Sequence, residues 1–299
     1  MSTFAPRISK VVDDAIVAVS GSDSRSFLHA QLTQDIADLP ADRAAFAAWA
    51  DARGRVRALF RVVPAGGRFL LVTSADLVAA LLPKMRLFVL RERVAIEQAD
   101  SLAVHAILGD ASAWARSEKL ELPAEPSRLR LARDIYWLCI SPDLIYAIGS
   151  ADAMRAVCGR LEEAPAASAE LAAIRLGLPI VDAGLAERYI PQMLNLDRLG
   201  GVSFNKGCYP GQEVVARTHN LGAVKRRLRR FAAAHRIVPA RGASLRDEAG
   251  AAAGDVIRAA PAPGGIELLA VAPIDIAAEK LRIDGGPDVP LVDLGLPYS

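Results

Sequence analysis

The order of strand-like and helix-like segments limits the fold of this chain more than any other feature. Three apolar segments between residues 44 and 73 predict consecutive strands, because Arg53-Gly54 and Pro64–Gly67 are turn signals. Strands and helices do not alternate regularly after that, which indicates an α+β fold rather than a doubly wound parallel sheet. We predict further helices near 75–90, 151–162 and 168–176, and strands near 92–98, 102–108, 128–140 and 144–148.

The first helix is predicted from a capping signal and an apolar face. Residues 15–19 are typical of a buried strand, and Ser22 or Asp23 can cap the helix that follows. Helical spacing places four apolar side chains on one face of this helix: Phe27, Leu28, Leu32 and Ile36.

The character of the chain changes after Asn220. Residues 225–299 contain short apolar strands with frequent glycine and proline and no clear helical pattern, which predicts a small β-barrel. With 299 residues the chain is long enough for two domains. We therefore predict an α+β region of two lobes over residues 1–220 and a C-terminal β-barrel over residues 221–299.

Charge and cysteine content exclude several classes of protein. The 36 basic and 34 acidic residues nearly balance, which argues against a dedicated nucleic-acid coat but not against a local basic site. The three cysteines are far apart and the four histidines lack metal-ligand spacing, so no metal cage is expected and a reducing compartment is favoured. Asp13 and Asp14 interrupt the N-terminal apolar stretch, so we expect no signal peptide. No apolar run approaches the roughly 18 residues that a membrane span requires, so we expect no membrane span and a cytoplasmic location.

Residues 205–217, NKGCYPGQEVVAR, combine a single cysteine with a lysine, two glycines and a proline in a short segment. If a helix begins at Pro210 with Tyr209 as its cap, Cys208 lies at the helix N-terminus, where Lys206 would further favour the thiolate. Glycines at 207 and 211 would let a ligand or another thiol approach closely. The alternative is that Cys208 is an ordinary small apolar residue before a common loop.

The same segment resembles a family signature. KGCYPGQEVVAR is similar to the K-G-C-Y-x-G-Q-E-x-x-A-R motif of the YgfZ family of folate-binding proteins, relatives of the glycine-cleavage T-protein and of a mitochondrial iron–sulfur assembly factor. The resemblance extends over most of the chain, including FLHAQLTQDI, WADARGRVRALFRV, RLGLPIVDAGLAERYIPQMLNLDRLGGVSF and the ending VDLGLPYS.

The resemblance implies a T-protein-like ring of α+β lobes around a central folate-binding hole, with a C-terminal barrel. It implies binding of tetrahydrofolate or another reduced folate, and a role in making or repairing iron–sulfur enzymes, including those that thiolate tRNA. Aminomethyl transfer is not expected, because Arg57 and Ala58 stand where the T-protein has its acidic pair, and no Y-T-G-E segment is present.

The resemblance and the residue chemistry together identify the candidate site residues. Cys208 would be the reactive or cluster-contacting thiol, and Lys206 would lower its pKa and hold an anion. The remaining candidates would shape the pocket (Tyr209 and Gln212), brace the following helix (Glu213 and Arg217) or hydrogen-bond the pterin edge (Gln192 and Asn195). Gln192 and Asn195 are also typical of capping residues.

Five basic residues in six positions, 225–230, allow two interpretations. They could attract the carboxylates of a folate tail or the phosphates of RNA. They could equally protect an edge strand from pairing with another sheet. An RNA-binding module and an active folate-dependent methylene or aminomethyl transferase therefore remain alternatives. Cys139 and Cys158 are predicted to be core residues.

Overall fold

The structure is a computed structural model that describes residues 5–11, 13–222 and 224–298. Outside these ranges lie Ala223, two residues before the basic segment 225–230, Ser299, which closes the C-terminal match, and residues 1–4 and Val12 of the N-terminal stretch. The α-helices are α1 (Ser24–Gln31), α2 (Val78–Arg86), α3 (Ser112–Ser117), α4 (Ala151–Cys158), α5 (Ala166–Arg175) and α6 (Gln212–Leu221). Short 3₁₀ helices span Ala75–Leu77, Pro191–Leu194 and Ala278–Lys280.

The strands are β1 (Arg7–Lys10), β2 (Asp14–Ser20), β3 (Ala45–Ala50), β4 (Val56–Pro64), β5 (Arg68–Ser74), β6 (Ala95–Gln98), β7 (Ala103–Leu108), β8 (Leu129–Ala132), β9 (Ile135–Ser141), β10 (Leu144–Gly149), β11 (Glu162–Glu163), β12 (Arg226–Ala233), β13 (Ser244–Arg246), β14 (Ala252–Ala262), β15 (Gly265–Pro273), β16 (Arg282–Ile283) and β17 (Val292–Asp293). A five-stranded sheet has the order β3-β4-β5-β2-β6. The mixture of helices with mainly antiparallel strands confirms the predicted α+β class.

The chain divides into two compact units. The first comprises Met1–Ala30, Asp35–Phe46 and Phe60–Ala169. It contains a six-stranded sheet with the order β11-β1-β7-β10-β9-β8, in which β1 pairs parallel with β11 and antiparallel with β7. Helices α3 and α4 contribute to the apolar core on one face of this sheet, around Trp137 and Ile107.

The second unit comprises Gln31–Gln34, Ala47–Leu59 and Glu170–Ser299. Its C-terminal strands form a curled half-barrel sheet with the order β16-β13-β14-β15-β12-β17. Apolar side chains including Phe231, Leu245 and Leu268 fill its core. The expected β-rich C-terminal structure is therefore present. The α6 helix ends at Leu221, next to the predicted domain boundary at 220, which stays a prediction.

Most element types match the sequence analysis, but helix ends do not. Strands β3, β4 and β5 confirm the three strands predicted between 44 and 73. The first helix ends at Gln31, so Leu32 and Ile36 lie outside it, although both are buried. Leu32 instead pairs with Trp49 in an isolated antiparallel bridge, and this backbone pairing ends the helix. In the part of the chain that the structure describes, no helix has the length and apolarity that crossing a bilayer requires.

Candidate functional site

Lys206 anchors the loop that carries the cysteine motif. Its side chain is buried, and Nζ donates to the carbonyl oxygens of Leu32 at 2.6 Å and of Gln34 at 3.2 Å. The same ammonium lies 5.1 Å from the centre of the Tyr209 ring, within the range of a cation–π interaction. Since a buried cation requires such partners, the structure gives Lys206 the role of fixing the loop to residues 32–34.

The helix after the motif begins later than the sequence predicts. Its first residue is Gln212 and its N-cap is Gly211, so the prediction of a helix starting at Pro210 with Tyr209 as its cap is wrong. A turn comes first, in which the Gln212 amide donates to the Tyr209 carbonyl at 3.2 Å. Cys208 therefore lies three residues before the N-cap Gly211 and outside the first turn of α6.

Gly211 is required at the start of α6 because the backbone there has no room for a side chain. Its φ of 80° is in the left-handed region. A Cβ atom on Gly211 would lie 2.4 Å from the Asp51 carbonyl oxygen and 2.6 Å from Gly54 Cα. The turn between β3 and β4 therefore lies directly against the beginning of α6.

Asp51 organises that turn, although it is not among the site residues predicted from the sequence. One carboxylate oxygen accepts from the amides of Arg53 and Arg55, both at 2.8 Å, and the other accepts from Arg53 Nε at 3.2 Å. Burial by itself raises the pKa of Asp51, but the hydrogen bonds from Arg55 and Arg53 outweigh it and hold the pKa below its usual value. The signal was present as an aspartate ahead of Arg53-Gly54, a pattern typical of a side-chain-capped turn.

The three cysteines differ in exposure as predicted. Cys208 is exposed, whereas Cys139 and Cys158 are buried, which confirms both as core residues. Burial raises the pKa of the Cys139 thiol. Burial, with a smaller contribution from Glu118, raises the pKa of the Cys158 thiol to about 12. Of the three thiols, only that of Cys208 is exposed at the surface.

Tyr209 and Gln212 complete the loop around Cys208. Tyr209 is buried, and burial raises the pKa of its hydroxyl to about 12. Gln212 is half-buried, and its Nε2 donates to the Lys206 carbonyl at 3.5 Å. The Phe204 ring stacks on His219 with 3.8 Å between the ring centres, which joins the loop to the last turn of α6. This stack was not foreseen from the sequence.

Glu213 and Arg217 form the predicted i,i+4 ion pair on α6. Arg217 Nη2 lies 2.6 Å from Glu213 Oε1, and both side chains are exposed. Such a pair adds only about 0.2–0.5 kcal/mol to an isolated helix. The predicted bracing of the helix is present, and folate contact by these two residues stays a prediction.

Gln192 and Asn195 are both buried in the segment around the 3₁₀ helix Pro191–Leu194. Gln192 Nε2 donates to the Val215 carbonyl on α6 at 2.7 Å, and Asn195 Nδ2 donates to the Leu228 carbonyl on β12 at 2.9 Å. Asn195 ends the 3₁₀ helix with a φ of 56°, as a capping residue does. Gln192 Oε1 is buried and has no hydrogen-bond partner among the described residues.

Arginine side chains of the basic strand β12 form ion pairs with carboxylates of other segments. Arg227 makes a two-pronged contact with Asp197, with Nη1 at 3.0 Å from Oδ1 and Nη2 at 2.9 Å from Oδ2. Arg227 also donates to the Gln192 carbonyl at 3.0 Å. Two further arginines of the strand form ion pairs, each with one carboxylate oxygen: Arg229 with Asp293 and Arg230 with Glu267.

The interpretation of residues 225–230 as a protective edge strand stays a prediction. Strand β12 pairs antiparallel with β15 from Arg226 to Ala233, whereas it pairs with β17 only at Phe231 and Ala232, beyond the basic residues. No sequence pattern predicts β17, which is a two-residue strand near the C-terminus. Within the described ranges, no group of three or more His, Cys, Asp or Glu side chains is arranged to hold a metal ion.

Comparison with known proteins gives relatives along most of the chain. No protein-family model matches it. A protein of Klebsiella pneumoniae named tRNA-modifying protein YgfZ is 31% identical over 255 residues, covering 82% of this chain and 77% of the relative. The protein of the same name from Cronobacter sakazakii is 30% identical over 223 residues, covering 72% of this chain and 68% of the relative.

One solved structure shares the fold over nearly the whole chain. It is the glycine cleavage system aminomethyltransferase T of Bartonella henselae, with a TM-score of 0.78 and 18% identity, covering 99% of this chain and 87% of that one. At this identity the likeness establishes the fold, and it confirms the T-protein-like architecture that the motif implied.

Proposed function

The chain belongs to the YgfZ family, and from that starting point we propose that it is a folate-binding accessory protein for the assembly or repair of iron–sulfur clusters. Its clients would include the enzymes that thiolate tRNA, which agrees with the name tRNA-modifying protein that its relatives carry. We place it in the cytoplasm, where exposed single thiols stay reduced.

The observation that carries this proposal is an exposed Cys208 on a loop that is fixed on both sides. Lys206 holds the loop to the carbonyls of Leu32 and Gln34, and Gly211 packs on the Asp51 turn. A thiol presented in this way keeps its position while it remains accessible to a cluster or to a partner thiol. An ordinary core cysteine has no such exposure, as Cys139 and Cys158 illustrate.

The residues near the loop fit a reduced folate. The Gln192 amide oxygen is a buried acceptor without a partner among the described residues, and the edge of a pterin carries N–H donors that could satisfy it. Tyr209 and Gln212 would bound the pocket beside Cys208. Asn195 would contribute less than the sequence analysis expected, because its side-chain amide already donates to Leu228 and its oxygen lies 3.3 Å from Arg227 Nη1. When bound, a reduced folate supplies a carrier of one-carbon units.

An accessory role is favoured over aminomethyl transfer by the residues at two positions. Arg57 forms an ion pair with Glu187 at 3.0 Å, and its guanidinium lies 5.2 Å from the centre of the Trp49 ring. Ala58 is fully buried. Where the T-protein pattern has acids, this chain therefore has a paired cation and a methyl group, and neither can take up a proton at a folate amine.

The ion pairs of residues 225–230 support a separate RNA-binding role less than the basic sequence pattern alone does. Arg227 and Arg229 are each paired with a carboxylate of the same unit, and Arg230 shares the carboxylate of Glu267 with Arg175. That leaves Lys225 and Arg226 as the exposed cations of the segment, too few for strong binding to phosphates. We propose that the connection to tRNA runs through client enzymes.

Calorimetric titration with tetrahydrofolate tests the binding proposal. The wild-type protein should release or absorb heat with a defined stoichiometry and should show a raised Tm in the presence of the ligand. Gln192→Leu should weaken binding, because the apolar side chain cannot accept from the pterin. Arg226→Ala, on an exposed position of β12, serves as the control that leaves binding unchanged. Absence of both heat and thermal shift in the wild type would remove folate from the proposal.

A further inference from the structure

The loop that carries Cys208 is tied to helix α6 by a pair of aromatic rings. The Phe204 ring lies on the His219 ring, with 3.8 Å between the ring centres and 17° between the ring planes, so the two rings are in face-to-face contact. Phe204 precedes Cys208 by four residues, and His219 lies in the last turn of α6. Residues 204–211 are called the cysteine loop below.

The two ends of the cysteine loop are fixed at opposite ends of α6. Gly211 is the N-cap of the helix, and His219 comes seven residues after the first helical residue, Gln212. At a rise of 1.5 Å per residue, His219 lies about 10 Å along the helix axis from that first residue. The cysteine loop therefore runs back along the helix, and the stack sets the position of its first residue.

The position of Phe204 is passed on through a short piece of chain. One residue, Asn205, separates Phe204 from Lys206, whose ammonium donates to carbonyl oxygens of residues 32–34. Phe204 contacts α6, whereas Lys206 contacts a different segment. Two anchors on different segments fix the orientation of the cysteine loop as well as its place.

The thiol has no anchor of its own. Cys208 and its neighbour Gly207 are exposed, and among the described residues the Cys208 side chain forms no hydrogen bond. Glycine also gives the backbone before the thiol wide conformational freedom. The place of the sulfur atom therefore depends on the contacts that hold the rest of the cysteine loop.

The stack is what holds the His219 ring. This side chain is exposed, and within the ranges that the structure describes it forms no hydrogen bond and no ion pair. Phe204 is half-buried, and the imidazole covers one face of its ring. An aromatic pair shifts an equilibrium between contact and separation by roughly two- to tenfold beyond the burial of the rings. The stack therefore favours the closed form of the cysteine loop by about that factor.

We propose that His219 is a positioning residue for Cys208 and acts through Phe204. The stack holds the cysteine loop closed on α6, and the thiol then meets a cluster or a partner thiol from one fixed place. This role rests on the proposed function, in which Cys208 is the reactive or cluster-contacting thiol. His219 itself takes no part in the chemistry.

Electron paramagnetic resonance of a nitroxide label on Cys208 measures the cysteine loop directly. Cys208 is the exposed thiol among the three cysteines, so the full-length protein takes a single label. The wild type should give a mainly immobilised spectrum. His219→Ala should lower the ratio of immobilised to mobile signal by about two- to tenfold. His219→Tyr, which keeps an aromatic ring at this position, should restore the wild-type spectrum.

Two further variants separate the stack from a general change in the helix. Asn220→Ala alters the neighbouring exposed position in the last turn of α6 and should leave the spectrum unchanged. Phe204→Leu should mobilise the label as His219→Ala does. The double variant should be no more mobile than either single variant, because both substitutions remove the same contact. An unchanged spectrum in His219→Ala, or no recovery in His219→Tyr, overturns the positioning role.

Thiolated tRNA in a bacterial strain that lacks its own YgfZ protein tests whether this position matters for function. At equal expression, His219→Ala should lower the amount of thiolated tRNA by about two- to tenfold, and His219→Tyr should restore it. Wild-type amounts with His219→Ala, in a strain where Cys208→Ala gives none, overturn the positioning role alone. Full restoration by Cys208→Ala overturns the proposed function together with the role of His219, so the two failures are distinguishable.

Discussion

Gly211 and Asp51 are in direct backbone contact, although 160 positions separate them in the sequence. The Asp51 carbonyl oxygen occupies the space that a Cβ atom of Gly211 would enter, at 2.4 Å. This contact places the turn between β3 and β4 against the start of α6, and so it sets where the Cys208 loop ends.

Gly211→Ala should therefore destabilise the protein by about 3 kcal/mol or more, since it combines a left-handed φ with a collision against backbone atoms. Gly200→Ala is the matched control, because Gly200 has a φ of 65° and open space around it. The control should cost only about 1 kcal/mol, the conformational cost alone. Urea unfolding measures both values, and equal losses in the two variants would show that the Asp51 contact does not matter.

Asp51 should make stability depend on pH in the acid range. Its pKa is lowered in the folded protein, so its contribution is fully present above the ordinary value of about 3.9 and is lost as the pH falls through the folded pKa. Asp51→Asn removes this contribution. The difference in unfolding free energy between wild type and variant should be constant from pH 5 to 7 and should shrink below about pH 4.

Urea unfolding at several pH values measures this difference. Asp76→Asn controls for the loss of one carboxylate, because Asp76 accepts from the Ser74 hydroxyl at 2.9 Å and an asparagine oxygen can accept the same hydrogen bond. A difference between wild type and Asp51→Asn that does not change between pH 3 and 7 would contradict the assigned role of the Asp51 carboxylate.

Arg227 should behave as a structural residue. Arg227→Ala removes the partner of a mostly buried Asp197 and a donor to the Gln192 carbonyl, so we expect a loss of roughly 2–4 kcal/mol. Arg226→Ala, at the exposed neighbouring position, should change stability by less than about 0.5 kcal/mol. Thermal unfolding measures the stability of both variants. A gel-shift titration with tRNA at two salt concentrations measures their affinity for RNA. A stable Arg227→Ala variant that loses RNA affinity would contradict the structural role of Arg227.

Secondary-structure elements could be predicted from the sequence, whereas contacts between residues far apart in the chain could not. The strands between 44 and 73 follow from apolar runs divided by glycine turns, and Cys139 and Cys158 follow from the apolar segments that contain them. These features are local, so the sequence pattern is sufficient to find them.

The errors have a common physical cause, which is contact between residues far apart in the chain. The start of α6 was misplaced because Gly211 is held by Asp51 rather than by the helix signals next to it. The contacts of Lys206 were likewise missed: its ammonium donates to the carbonyls of Leu32 and Gln34, and its predicted effect on Cys208 stays a prediction. No pattern within residues 205–217 could reveal either contact. The family motif identifies Lys206 and Gly211 as candidate residues but does not indicate which distant residues they contact.

The most direct test of the central claim is complementation with Cys208→Ala in a bacterial strain that lacks its own YgfZ protein. Because Cys208 is exposed, the variant should keep the stability of the wild type within about 0.5 kcal/mol and should still bind tetrahydrofolate. Cys139→Ala, which alters a buried thiol instead, is the matched control and should restore thiolated tRNA. We predict that Cys208→Ala, expressed at the same level, fails to restore thiolated tRNA; full restoration by this variant would contradict the account.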